Sequence, residues 1–163
     1  MKVREILEIK GAVLYTIAPD KPLSEAVEFM TSHDVGSLVC FSGGQMVGML
    51  TFREVLLAVQ KHGANWQNVP IDSAMVRDPG IAAPEMEMDA LRRLMIENHQ
   101  RYLPVMDGSV LMGVVSFHDV AKAVLEEQSF ENKMLKAYIR DWPDGTDGVV
   151  FRANDAALIE LHN

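Results

Sequence analysis

What most constrains this chain is that it repeats itself. Displaced by 65 positions, residues 16–61 lie over 81–126 without a gap. Ten of those 46 pairs are identical: Ala18/Ala83, Pro19/Pro84, Met30/Met95, Leu38/Leu103, Gly43/Gly108, Gly48/Gly113, Phe52/Phe117, Val55/Val120, Ala58/Ala123 and Val59/Val124. Chance matching at ordinary residue frequencies would give about three. Asp20/Glu85, Thr51/Ser116 and Glu54/Asp119 are conservative pairs in the same frame. Upstream, Val3-Arg4-Glu5-Ile6-Leu7 matches Ile71-Asp72-Ser73-Ala74-Met75 at a displacement of 68, so the loop that follows is three residues longer in the first copy. Two copies suit a paired domain better than a solenoid.

Each copy reads as helix–strand–helix–strand–strand–helix. Val3, Ile6 and Leu7 fall at i, i+3, i+4, as do Ile71, Ala74 and Met75, which predicts a short helix in both. Extended residues follow at 14–17 and 81–83. Leu23, Ala26, Val27 and Met30 form a helical apolar stripe, matched by Met88, Leu91, Leu94 and Met95. Leu38-Val39-Cys40-Phe41 and Leu103-Pro104-Val105-Met106 lead through Gly-bearing turns to second apolar runs, the signature of a hairpin. Thr51 or Ser116 then opens a last helix. One copy is too small to close a core. The expected fold is α/β (α+β), with two copies related by pseudo-twofold symmetry, sheets together and helices outside. The expected boundaries are 1–62 and 71–126 for the copies, with 63–70 a polar surface linker. Phe130, Met134, Leu135, Tyr138, Ile139 and Trp142 predict an amphipathic C-terminal helix over 127–143, ended by Pro143. Its apolar stripe needs a partner surface, either this domain or a second subunit. The tail 144–163, with a strand and a helix capped by Asn154 or Asp155, has no assigned role.

Composition excludes several function classes. At 163 residues and 48% apolar content the chain can bury a real core and is not disordered. No apolar run approaches the ~20 residues of a membrane span, and the N-terminus turns acidic before a signal sequence could develop. A net charge of −8 argues against general nucleic-acid binding. The single Cys40, inside an apolar run, forbids an internal disulfide and reads as an inert thiol. The five histidines show no metal-ligand spacing, and neither a phosphate-binding P-loop nor a G-x-S-x-G elbow occurs. A soluble, cytoplasmic, globular protein is expected.

Val35-Gly36-Ser37-Leu38-Val39, Arg101-Tyr102-Leu103-Pro104-Val105, and Gly48-Met49-Leu50-Thr51-Phe52-Arg53-Glu54 beside Gly113-Val114-Val115-Ser116-Phe117-His118-Asp119 resemble the signatures of CBS domains. The resemblance covers about residues 1–126, and the helix with Glu127-Gln128-Ser129-Phe130-Glu131 and Tyr138-Ile139 is similar to that of small stand-alone CBS-pair proteins. It implies a Bateman module whose inter-repeat clefts bind an adenosine-containing ligand (AMP, ADP, ATP, S-adenosylmethionine or NAD). It also implies no chemistry of its own, a sensing and regulatory role and pairing into a homodimer.

Within that frame Asp119 is the ribose candidate, because one carboxylate can accept from two adjacent hydroxyls. The competing reading is a capping box, Ser116-x-x-Asp119. Thr51-x-x-Glu54 is a better capping box, and the longer Glu54 makes first-copy ribose binding the weaker. Arg53 and His118 lie in the first turns of helices whose N-termini favour anions, and Arg101 replaces Gly36; these are the phosphate candidates. By resemblance, backbone contacts to adenine fall to Thr16, Ile17, Ile81 and Ala82. Tyr102 and Pro104 would form a wall, with core packing the alternative for Ile17, Ile81 and Pro104. The alternative function is a ligand-free dimeric adaptor with degenerate clefts.

Overall fold

The computed structural model describes residues 1–11 and 13–140; Trp142, Pro143 and the tail 144–163 lie outside the described residues. Helix α1 (Val3–Lys10) is followed by strand β1 (Thr16–Ile17), helix α2 (Leu23–His33), strands β2 (Ser37–Ser42) and β3 (Gln45–Thr51), and helix α3 (Phe52–His62). The second copy contributes helix α4 (Met88–Glu97), strands β4 (Tyr102–Asp107) and β5 (Val110–Ser116), and the start of helix α5 (Phe117–Arg140). Residues Met1–Val120 form one compact unit holding both copies; the described part of a second unit is α5 from Ala121 onward.

The predicted stripes become the core. Leu23, Ala26 and Met30 of α2 and Met88, Leu91 and Met95 of α4 are buried, each large side chain stabilising by about 1.5–3 kcal/mol. Both hairpins carry a bulge at the same place, between Cys40 and Phe41 and between Val105 and Met106. Gly43 and Gly44 both take positive φ in the first turn, as a two-residue I′ hairpin requires. Asp34 and His99, also equivalent, end α2 and α4 with left-handed backbone.

The copies exchange their leading segments. Val3 N–H donates to Met86 C=O and Arg4 N–H to Pro84 C=O, while Met88 N–H donates to Met1 C=O. At the equivalent positions Ile71 donates to Lys21, Asp72 to Pro19, and Leu23 to Val69. Leu7 lies over Gly113, and Met75 over Gly48. The first ten residues therefore pack on the second copy, and residues 69–76 on the first, where Val69, Ile71 and Met75 join its buried cluster. The pseudo-twofold relation is thus visible bond by bond.

Four expectations are revised. Ile71–Ser73 is a single 3-10 turn, not a counterpart of α1. The linker is not a plain surface loop: Gly63–Asn68 is a 3-10 helix whose Trp66 packs on the first-copy core. The extended stretch at 81–83 shrinks to one bridge, Ala82 to Val105. Its cause is Pro104, which stands where Val39 donates to Tyr15 C=O and has no N–H to give. The Gly80 carbonyl, equivalent to that of Tyr15, accepts from Gln100 Nε2 instead, at 3.0 Å. Finally, the C-terminal helix does not begin at 127; no Gly or Pro interrupts 117–140, and α5 runs through all 24 residues.

Candidate functional site

Asp119 is held at the start of α5 by its own local sequence. Ser116 N–H donates to Asp119 Oδ2 at 2.9 Å, and Asp119 N–H donates to Ser116 Oγ at 3.1 Å. The capping box is formed. It uses only one carboxylate oxygen, and Oδ1 has no hydrogen-bond partner among the described residues. Oδ2 also receives Lys10 Nζ at 2.8 Å, the side chains being 34% (Lys10) and 13% (Asp119) exposed. Capping and ligand binding therefore need not exclude each other at Asp119.

Glu54, its first-copy equivalent, is in a different state. Its side chain is buried, with Oε1 accepting from Thr51 N–H at 3.1 Å and from Thr51 Oγ at 3.0 Å. The longer side chain caps the helix start as Asp119 does, and is the more buried of the two, 7% exposed against 13%. Arg53 beside it is exposed, its guanidinium 4.0 Å from Glu54 Oε2. Burial, with Glu54 adding to it, pushes the Cys40 thiol up to about 12; Cys40 is an inert core thiol.

Where the copies meet, aromatic and cationic groups gather. The Arg101 guanidinium lies 5.4 Å from the centre of the Phe52 ring, and the Tyr102 ring meets Phe52 edge-on at 6.3 Å. A Cβ on Gly36 would overlap the Tyr102 hydroxyl, so only glycine lets β4 approach this closely. Burial raises the Tyr102 phenol above its ordinary value; Arg101 pulls it down and Asp119 pushes it up, so the phenol feels both charges. Lys10, Arg101, Tyr102, Ser116 and Asp119 thus share one electrostatic neighbourhood.

Other candidates are placed differently. Ala82 is fully buried, its N–H given to Pro104 C=O and its C=O taken by Met106 N–H, so it has no backbone group left for an adenine edge. Ile81, half-exposed, has no such commitment among the described residues. Pro104 is buried within β4, which makes it core rather than a ligand wall. Ile17 packs against the first-copy core, while Thr16 is exposed. His118 projects from the first turn of α5, exposed. Two residues escaped sequence reasoning. Phe52 was hidden because an aromatic at a helix start reads as ordinary packing. Lys10 was hidden because its partner lies 109 residues away, and no local pattern joins them.

Comparison with known proteins agrees with this architecture. The CBS domain profile matches residues 3–61 and 71–126. The chain belongs to the CBS domain family. It is 31% identical over 126 residues to the mitochondrial CBS domain-containing protein CBSX3 of Arabidopsis thaliana, covering 74% of this chain and 61% of that protein's length. Among solved structures it is similar to the CBS-domain protein ATU1752 of Agrobacterium tumefaciens, with a TM-score of 0.73 and 28% identity over 76% of this chain and 98% of the other. The CBS domain pair of MJ0100, solved in complex with 5′-methylthioadenosine and S-adenosyl-L-methionine, shares the fold at a TM-score of 0.68 and 20% identity, over 78% of this chain and 98% of its own. Small stand-alone CBS pairs are typically regulatory and non-catalytic. Among the described residues no helix is long and apolar enough to cross a membrane.

Proposed function

We propose that this CBS pair is a non-catalytic sensor that binds one adenosine-containing ligand, AMP, ADP, ATP or NAD, in its second-copy cleft. The observation that carries the reading is the Asp119 carboxylate. It is fixed at a helix start and little exposed, and its Oδ1, without a hydrogen-bond partner among the described residues, suits a ribose hydroxyl. Ile81 supplies uncommitted backbone for the base, and Arg101 and His118 supply positive charge for phosphates. The bound CBS pair in MJ0100 makes an adenosyl group the natural first probe. The first-copy cleft is the weaker partner, because the Glu54 side chain is the more buried of the two acids and Gly36 is covered by Tyr102.

Signalling follows by population shift. A ligand touching both copies favours one inter-copy arrangement, to the extent that it binds that arrangement better than the other. Homodimerisation belongs to the same proposal, supported by the exposed Phe130, Met134 and Leu135 along α5; light scattering should give a dimer mass for the full chain and a monomer mass for a chain ending at 128, and equal states would count against it. The sensor reading is tested by a thermal-shift panel of adenosyl ligands. A ligand at about 100 times its dissociation constant stabilises by about 2.7 kcal/mol, and Asp119→Ala should abolish the shift. A flat panel supports the second reading, an adaptor whose clefts are degenerate, which the burial of Glu54 favours.

A further inference from the structure

The two halves treat the edge beside the ligand acid differently. In the first copy Met49 of β3 exchanges two backbone hydrogen bonds with Val76: Met49 N–H donates to Val76 C=O and Val76 N–H to Met49 C=O, both at 2.9 Å. Val114 of β5 is the equivalent of Met49, and Glu8 the equivalent of Val76. The 3-10 turn before Val76 ends at Ser73, which frees the chain to run alongside β3; α1 stays helical through Lys10, so Glu8 cannot do the same. The Val114 carbonyl receives Lys10 Nζ instead, at 2.8 Å, and the same ammonium reaches Asp119 Oδ2 at 2.8 Å. A fixed backbone contact in one half is a movable cation in the other.

We infer that Lys10 sorts ligands by charge at the second-copy cleft, favouring phosphorylated adenosyl groups over neutral or cationic ones. This rests on the adenosyl reading of that cleft. A carboxylate oxygen has two good acceptor directions, and those of Oδ2 are taken by Ser116 N–H and Lys10. A ribose diol that places one hydroxyl on each oxygen must move Lys10 off Oδ2. The displaced ammonium then needs an anion. A ligand phosphate supplies one, so a nucleotide trades one ion pair for another. Adenosine loses the pair without replacement, and a sulfonium such as that of S-adenosylmethionine adds like-charge repulsion. The exposed His118 and Arg101 raise the same preference without contacting the carboxylate; Lys10 alone does both.

Calorimetry with adenosine and AMP on the full chain, its Lys10→Met variant and its Lys10→Arg variant tests this. Wild type should bind AMP at least tenfold more tightly than adenosine. Lys10→Met should lower that ratio at least threefold, to what Arg101 and His118 sustain, with adenosine tighter than in wild type, and Lys10→Arg should preserve it. Salt gives a reading without mutation: raising sodium chloride should weaken AMP binding while leaving adenosine unchanged or tighter. A ratio left unchanged by Lys10→Met, or adenosine and AMP weakening together with salt, overturns the role of Lys10 and leaves the adenosyl reading standing. Absence of binding of adenosine and of AMP to wild type and both variants overturns the adenosyl reading and this inference with it.

Discussion

Gly48 and Gly113 occupy the same place in the two copies, yet the exchanged segments press on them unequally, and alanine substitution turns that into a measurable difference. A Cβ on Gly48 would sit 2.7 Å from both Met75 Sδ and the Val76 carbonyl oxygen. The sulfur belongs to a flexible side chain and can retreat; the carbonyl cannot, because Val76 is tied to Met49 by two backbone hydrogen bonds. Overpacking of this kind costs about 1–3 kcal/mol, and weakening the paired bonds adds about 0.5–1.5 kcal/mol for each one lost. Removing glycine from a strand returns roughly 0.5–1 kcal/mol. The net for Gly48→Ala is a loss of about 2 kcal/mol. At Gly113 the nearest atom is Leu7 Cδ2 at 3.2 Å, again a side-chain end, with no backbone within reach. Leu7 gives way by a few tenths of an ångström, the glycine gain offsets it, and Gly113→Ala stays within about 0.5 kcal/mol of wild type. Urea unfolding reads the contrast directly: with a slope near 2 kcal/mol per molar, the Gly48→Ala midpoint falls by about 1 M while that of Gly113→Ala barely moves. Equal midpoints, or a larger fall for Gly113→Ala, would refute the claim that Gly48 faces clamped Val76 backbone and Gly113 only the movable end of Leu7.

The Cys40 thiol, raised from 9.0 to about 12, makes stability fall with rising pH. Below about pH 9 folded and unfolded chains both keep the proton; above it only the unfolded chain releases it, costing ~1.4 kcal/mol by about pH 10. Wild type should lose that much more than Cys40→Ala between about pH 8 and about pH 10 in urea unfolding, and equal losses would show that the thiol is not sealed. Glu54→Ala removes a buried cap and should cost about 2 kcal/mol while leaving the affinity of any second-copy ligand unchanged in calorimetry; a lost affinity would make Glu54 a ligand group. Gly36→Ala should destabilise by about 1–3 kcal/mol, and much less in a Tyr102→Ala background, because the overlap it creates is with the Tyr102 side chain; additive effects in that double-mutant cycle would mean the two residues do not meet.

What the sequence disclosed was whatever depends on periodicity within a segment. The stripes of α2 and α4, the hairpins with their glycine turns, and the capping boxes at Thr51 and Ser116 are local, and each appears where its spacing put it. The C-terminal helix was found but started ten residues late, because the break assumed at 126/127 corresponds to no residue that stops a helix. The 3-10 form of Ile71–Ser73 escaped notice because i, i+3, i+4 spacing fits one tight turn as well as two α turns. Pro104 was in view, yet its effect on the strand at 81–83 follows only from knowing that Val39 donates across that gap. The largest omission, the exchange of leading segments, leaves no trace in either copy alone. Lys10 is its casualty: within α1 it is one more basic residue in a last turn.

The exchange of leading segments also sets the two copies of the duplicated frame apart. The frame common to both copies, a helix start offering an acid three residues after Ser or Thr, supplies two chances to hold a ribose. Each is decided by a single side-chain length and by what the exchanged segment lays beside it. At Glu54 the longer acid is the more buried, and the neighbouring edge is closed by Val76 backbone that local fluctuation cannot remove without breaking two hydrogen bonds. At Asp119 the shorter acid is slightly more exposed, and the edge is closed by the end of a lysine, whose displacement would lose one partly exposed ion pair, worth on the order of 1 kcal/mol, and its hydrogen bond to the Val114 carbonyl. On the adenosyl reading proposed above, a backbone lid makes a structural half and a side-chain lid a half that a ligand can open. The symmetry serves the fold, and on that reading its local breakage provides the place for a ligand.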